Sequence, residues 1–248
     1  MTEFKHQGLQ FTLDWRATLL VLMLLPLLLS LGFWQLDRAD EKRALQKLFQ
    51  QRQVAGPIAI EALSEHQDLR YQPTTLQGRY INEKSLFLDN RIYQGRFGYE
   101  IITPFKPARS DALVFINRGW VEGDISRRSL PKIESIVAEV ELLGEVYVPQ
   151  GDMLMLAEET NITWMSTVQA INIERLGEKF DQRLFPYVVR LSVESPGSYQ
   201  SNWVVVNLQP EKHVGYAVQW FAMSVTLLII AFLANTNCWA LIKGRKSN

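Results

Sequence analysis

Two stretches of about twenty residues carry no charge, and between them apolar and polar positions alternate in short runs. Residues 17–36 and 214–234 are each long enough to cross about 30 Å of hydrocarbon as a helix, so both are predicted to span a membrane. Pro26 lies inside the first; spans accept proline where neighbouring groups satisfy the freed carbonyl. A cleaved signal peptide is the rival reading of the first stretch, because Ser30 and Gly32 are small residues two apart. The apolar run is longer than a signal core of roughly 7 to 15 residues, and Phe33 and Trp34 continue it.

Beyond the first span, residues 37–54 keep a near-helical repeat through Leu36, Leu45, Leu48 and Phe49, and Gly56 and Pro57 should end that helix. A short helical or irregular piece is expected around residues 61–69. The pattern then changes to runs rich in branched and aromatic residues, predicting strands at 74–80, 85–90, 99–104, 112–120, 139–148, 187–193 and 203–208. Residues 94–98, with Gly95 and Gly98, read as a tight hairpin connection. One helix is predicted at 168–180, with Ile171, Leu176 and Phe180 buried. The expected fold class is a membrane protein in which two transmembrane helices flank an exported α+β domain with a mainly antiparallel sheet.

Charge orients this arrangement. Lys243, Arg245 and Lys246 follow the second span without an acid among them, which places its C-terminal end in the cytoplasm. The first span is a weaker witness: Lys5 and Arg16 precede it, whereas Arg38, Lys42, Arg43 and Lys47 follow it, interleaved with Asp37, Asp40 and Glu41. The expected order is a cytoplasmic tail (1–16), a first span (17–36), an exported domain (37–213), a second span (214–234) and a cytoplasmic tail (235–248). The head, which includes Glu3 and Asp14, is unlike an Arg-rich, acid-poor transit peptide, so a bacterial inner membrane with a periplasmic domain is expected.

Composition narrows the chemistry. The 26 basic and 26 acidic residues cancel, which argues against nucleic acid as a partner. Cys238, the lone cysteine, follows the second span, so the exported domain has no disulfide, thiolate metal site or covalent haem attachment. Histidine is scarce: His6, His66 and His213. His66 near Ser64 and Asp68 imitates part of a hydrolytic triad, but triad members meet in space and sequence proximity does not assemble one. Glu158 and Glu159 read as a solvated edge, and Arg91 and Arg96 around the 94–98 glycines match no phosphate-binding pattern. Arg118 beside Trp120 is compatible with stacking on a planar ligand, docking a partner or capping a sheet edge.

The richest constellation lies where the two spans leave the membrane on the exported side. His213, Tyr216, Ala217, Trp220 and Ser224 fall at offsets of 0, 3, 4, 7 and 11, a single helical stripe. Trp34, Arg38 and Lys42 make a matching stripe, with the amide of Gln35 beside it. An imidazole, flat aromatics and cations are what a haem requires: an axial nitrogen, walls for the macrocycle and partners for the propionates. Aromatic belts and flanking cations at a membrane surface have the same inventory with no ligand.

The run Gly32-Phe33-Trp34-Gln35-Leu36-Asp37-Arg38 followed by Glu41-Lys42 resembles the opening motif of the surfeit-locus (Shy-type) family of cytochrome c oxidase assembly factors. Asn90-Arg91 with Gly98-Tyr99 and Thr103-Pro104, Phe115-Ile116-Asn117-Arg118-Gly119-Trp120-Val121, and Arg128 with Leu130-Pro131 are similar to its central blocks. His213 with Gly215-Tyr216-Ala217 and Gln219-Trp220-Phe221 is similar to its closing motif. The resemblance implies an assembly factor rather than an enzyme. Such a protein receives haem a in passing and assists its insertion into the catalytic subunit of the oxidase, with haem a synthase and the lipid bilayer as further partners. On this reading His213 is the haem ligand, and Trp34, Gln35, Arg38, Tyr216 and Trp220 line the pocket. The alternatives are a haem-independent scaffold for an oxidase intermediate and a membrane-anchored hydrolase.

Overall fold

The computed structural model describes residues 14–63, 68–149, 163–180, 182–201, 203 and 209–236. In chain order the elements are α1 (Trp15–Ala55), β1 (Ile58–Ala59), β2 (Pro73–Tyr80), β3 (Leu86–Tyr93), β4 (Arg96–Pro107) and β5 (Leu113–Glu122). They continue with β6 (Val140–Tyr147), β7 (Thr167–Val168), α2 (Ile173–Phe180), β8 (Leu184–Leu191) and α3 (Pro210–Ala234). The chain divides into two compact units. The helical unit lies within Met1–Gln46 and Val206–Asn248, and the sheet unit is Lys47–Val205.

In the helical unit, α1 and α3 are each long and apolar enough to cross a membrane. Their apolar side chains face outward rather than into a core: Leu22 is 67% exposed, Met23 68% and Ile230 58%. α1 continues through Pro26. Past the apolar stretch it carries Arg38–Glu41 and Arg43–Asp40 pairs at 2.6 Å, both at i,i+3 spacing and solvent-exposed. It stops where Gly56 takes a φ of +79° ahead of Pro57, the left-handed stop that glycine adopts without penalty. α3 starts with Pro210 in its first turn, where the missing N–H is no loss, and Glu211 beside it suits the positive end of the helix.

The sheet unit closes on itself. Strands run β1-β2-β6-β8-β5-β4-β3-β7, and a further pairing of β2 with β4 joins Gly78 to Pro107 and Tyr80 to Phe105. β4 serves both neighbours on one edge, with Leu86–Tyr93 along its first half and β2 along its end. Inside the closed sheet sit Leu76, Tyr80, Phe105, Val114, Ile116, Leu142, Val146, Val189 and Leu191. On the outside, Leu86, Leu88, Ile102, Phe115 and Val168 are covered by Leu176 of α2. Alternate residues of β5 therefore enter two different cores, which explains why Leu113 to Ile116 is continuously apolar.

The expectation of a mainly antiparallel sheet is corrected to a mixed one. β1 with β2, β3 with β7 and β5 with β8 are parallel, and the other described pairings are antiparallel. A long connection separates β6 from β8, and it lets β8 return beside β5 in the same direction. The helix expected at 168–180 is shorter: Thr167–Val168 pairs with β3, and helix begins only at Ile173. Val168 is buried against that strand, and tertiary pairing overrides the helical periodicity there. Leu176 is buried and Ile171 half-buried, as expected. Of the strand expected at 203–208, only residue 203 is described.

Hairpin geometry follows the expectation at 94–98. Tyr93 pairs with Arg96 across a two-residue turn in which Gln94 and Gly95 both have positive φ, 49° and 77°. That is the turn whose twist matches two antiparallel strands.

Candidate functional site

Within the helical unit, α1 and α3 run antiparallel and are tied at both ends of their apolar stretches. At one end the backbone N–H of Asp14 donates to Asn235 Oδ1 at 2.9 Å. At the other, His213 Nδ1 meets Gln35 Oε1 at 2.8 Å. From Asp14 to Gln35 is 21 residues, about 32 Å of helix at about 1.5 Å each, close to the thickness of a hydrocarbon core.

Between these ties the seam is made by small residues and one ring. Ala217 and Ser224 on α3 are buried, as is Gly32 on α1, and Ala39 is buried one turn beyond the Gln35 tie. The Phe221 ring occupies the space at Gly32, where a Cβ would sit 2.5 Å from it. It also meets Phe33 edge to face at 5.3 Å. Absence of a side chain at Gly32 is what admits the ring, as at close helix crossings in membranes.

The pocket residues expected from the sequence divide into two groups. Gln35 and His213 are in direct contact. A glutamine carbonyl oxygen only accepts, so Nδ1 carries the hydrogen in this contact, and in the neutral ring Nε2 is the nitrogen that can bind a metal. Trp34 and Tyr216 are about half exposed, 49% and 51%, beside the seam rather than within it. Arg38 lies 5.8 Å from the centre of the Trp34 ring and pairs with Glu41. Trp220 is half-buried, and its backbone carbonyl accepts from Ser224 Oγ at 3.0 Å. Phe221 is the contact that stripe counting did not single out; Gly32 in an uncharged helix was its available signal. Among the described residues, no group of three His, Cys, Asp or Glu side chains is arranged to hold a metal.

In the sheet unit, the Asn117–Trp120 segment is built into the fold. Arg118 is fully buried, its guanidinium 5.0 Å from the Tyr80 ring and 4.8 Å from Tyr199. Its Nε donates to the Gly197 carbonyl and its Nη1 to the Glu134 carbonyl. Burial pushes the Tyr80 phenol well above its ordinary range. Trp120 stacks near Tyr93 with Arg96 over its ring, and its Nε1 donates to the Arg91 carbonyl at 2.9 Å. Gly119 has a φ of +112° and lies against the Gln200 backbone. Arg118 and Trp120 therefore hold separate parts of the sheet unit and do not form a joint stacking platform.

His66, Glu158 and Glu159 lie outside the described residues, as do His6 and Cys238. Asp68, proposed beside His66, forms a two-pronged pair with Arg70, whose hydrogen bonds hold its carboxyl below the usual carboxylate range.

A chain in which two long apolar helices precede and follow a closed mixed sheet, with a histidine and a glutamine joining the helices at one end, is a β protein flanked by two helices able to cross a membrane. Residues 22–225 match the SURF1 family model, and the chain belongs to that family. A SURF1-like protein of Rickettsia felis is 25% identical over 241 residues, covering 90% of this chain and 98% of the relative. Surfeit locus protein 1 of Mus musculus is 26% identical over 137 residues, 49% of this chain and 45% of the relative. A SURF1-like protein of Drosophila melanogaster is 29% identical over 134 residues, 47% and 45%.

Proposed function

We propose that this protein assists assembly of cytochrome c oxidase by receiving haem a as a cargo and presenting it to the catalytic subunit. Membership of the SURF1 family supports the assembly role. The observation that carries the haem reading is the His213 to Gln35 contact, which frees Nε2 and fixes the direction of the imidazole. In this reading His213 supplies the axial nitrogen, Trp34, Tyr216 and Trp220 offer flat faces to the macrocycle, and Arg38 offers a cation to a propionate. A single axial bond suits a carrier that must release what it holds.

The uncharged helices span a bacterial inner membrane, with both termini cytoplasmic and the sheet unit periplasmic, because Lys243, Arg245 and Lys246 retain the C-terminal end inside. Haem a synthase is the donor this arrangement suits. A haem-independent scaffold is the second reading, supported by the half exposure of Trp34 and Tyr216, faces that a partner helix can cover as well as a porphyrin.

The test is an absorption spectrum of the detergent-purified protein from cells making haem a, beside His213→Ala. Wild-type protein should carry haem and the variant should lose most of it while remaining inserted in the membrane. Equal haem in both would overturn the haem reading, and haem-free protein that still supports oxidase assembly would establish the scaffold.

A further inference from the structure

A cavity of about 130 Å³ lies on the outer face of the closed sheet, between β3, β4, β5, β8 and the segment that enters α2. Its floor is apolar, with Leu88, Ile102, Ile173 and Val188, and its other end gathers Arg91, Glu100, Asn117, Tyr147 and Arg190. Strand register creates this polar end. Arg190 is opposite Asn117 across β8 and β5, Ile102 is opposite Asn117 across β5 and β4, and the bulge between Glu100 and Ile102 brings the Glu100 carboxylate to the same place.

The hydrogen-bond accounting there does not balance. Asn117 is engaged at both ends of its amide, its Nδ2 donating to Glu100 Oε2 at 2.7 Å and its Oδ1 accepting from the Gly119 N–H. Arg91 reaches Glu100 only at 4.0 Å, and its buried Nε has no hydrogen-bond partner. Arg190 lies 3.7 Å from the Tyr147 ring and 5.1 Å from that of Trp203, and its buried Nε has no hydrogen-bond partner among the described residues. Glu145, the cross-strand neighbour of Arg190, accepts from Gln53 Nε2 at 3.2 Å and makes no ion pair among the described residues. Burial pushes the Glu145 carboxyl up and the Arg190 guanidinium down, while the charges of the two groups partly offset each other. A second cavity, of about 240 Å³, approaches Arg91 and Glu100 from the Trp120 and Trp203 side, and there the Ser201 Oγ is buried without a partner.

We infer that this cavity binds a small carboxylate with an apolar body. Two guanidinium groups, Arg91 and Arg190, line the cavity against the single carboxylate of Glu100, and the planar donor fork of arginine matches a further carboxylate. The apolar floor selects against a bare inorganic anion. The volume is close to that of cavities that bind benzene, and it admits a compact ring rather than a long acyl chain.

The experiment uses the full chain in lipid nanodiscs with 4-fluorobenzoate, followed by fluorine NMR line broadening. Saturable binding is expected, weakened about tenfold or more for 4-fluorobenzamide, which has the same shape without the charge. Arg190→Gln should weaken binding by a similar factor, and Arg190→Lys should recover only part of it. Ile173→Trp, which fills the floor without touching the polar end, should block binding, and circular dichroism melts establish that each variant is folded. Equal binding of acid and amide, binding unchanged in both Arg190→Gln and Ile173→Trp, full displacement by equimolar inorganic phosphate, or no saturable binding would each overturn the inference.

Discussion

In the sheet unit the arginine and asparagine of the central motif are held inside the fold, whereas in the helical unit the motif histidine makes one contact and its aromatic neighbours stay half exposed. Arg118 gives hydrogen bonds to two carbonyls and lies between two tyrosines, and Asn117 bonds both Glu100 and Gly119. His213 uses one ring nitrogen on Gln35 and retains the other. Trp34 and Tyr216 remain half exposed while Tyr80 and Trp120 are buried. Motif residues of one chain can thus have opposite meanings, and burial within the fold separates the structural ones from those whose faces are left able to bind.

The comparison breaks first at Arg118. Arg118→Ala should lower the stability of the sheet unit by about 3–5 kcal/mol, since it leaves a cavity between two rings and strips two carbonyls of their donor. Chemical denaturation followed by near-ultraviolet circular dichroism measures this, and a loss under about 1 kcal/mol would place Arg118 among the binding residues instead. Gly119→Ala should cost about 1–3 kcal/mol in the same assay, because φ is +112° and the new Cβ would lie 2.8 Å from the Gln200 carbonyl oxygen. Neither change should reduce pairing of α1 with α3.

For the helical unit the matching change is Gly32→Leu, which expels the Phe221 ring and should weaken helix pairing by about 1–2 kcal/mol. Cross-linking of cysteines placed at positions 14 and 235, in a Cys238→Ser background, reads the pairing, and the melt of the sheet unit should be unchanged. The smallest effect is expected at Glu145. Its folded carboxyl is raised by burial, so its stabilising contribution is complete below the ordinary carboxylate value and is lost as pH rises through the raised one. Glu145→Gln should therefore leave stability at neutral pH equal or slightly higher and flatten its fall from mildly acidic to neutral pH in thermal melts.

Much of this architecture was legible in residue pattern. Twenty uncharged residues at a time marked the apolar parts of α1 and α3, and Gly56-Pro57 marked the end of α1, because both signals are local. Strand positions were legible for the same reason, but sheet closure was not. β2 meets β4 and β5 meets β8 through residues far apart in sequence, and no local pattern encodes such pairings. Two-residue strands such as Thr167–Val168 exist only through the neighbour they join.

At the candidate site, helical spacing identified His213 and Ala217 on one stripe, and Gln35 at the same depth on α1. It did not reveal that Gln35 is the residue His213 touches, because rotation of one helix against another is decided by packing, here by Phe221 in the gap at Gly32. Arg118 was misleading for a different reason. A fully buried arginine without a carboxylate partner among the described residues is rare, and composition rules assign such a residue to the surface.

The coordination of haem in the purified protein tests the central claim most directly. Electron paramagnetic resonance of the oxidised complex should show a five-coordinate or weakly six-coordinate haem whose axial signal disappears in His213→Ala and broadens into several orientations in Gln35→Ala. A stable bis-histidine spectrum, or one indifferent to both substitutions, would contradict an imidazole aimed by Gln35 as the point of attachment.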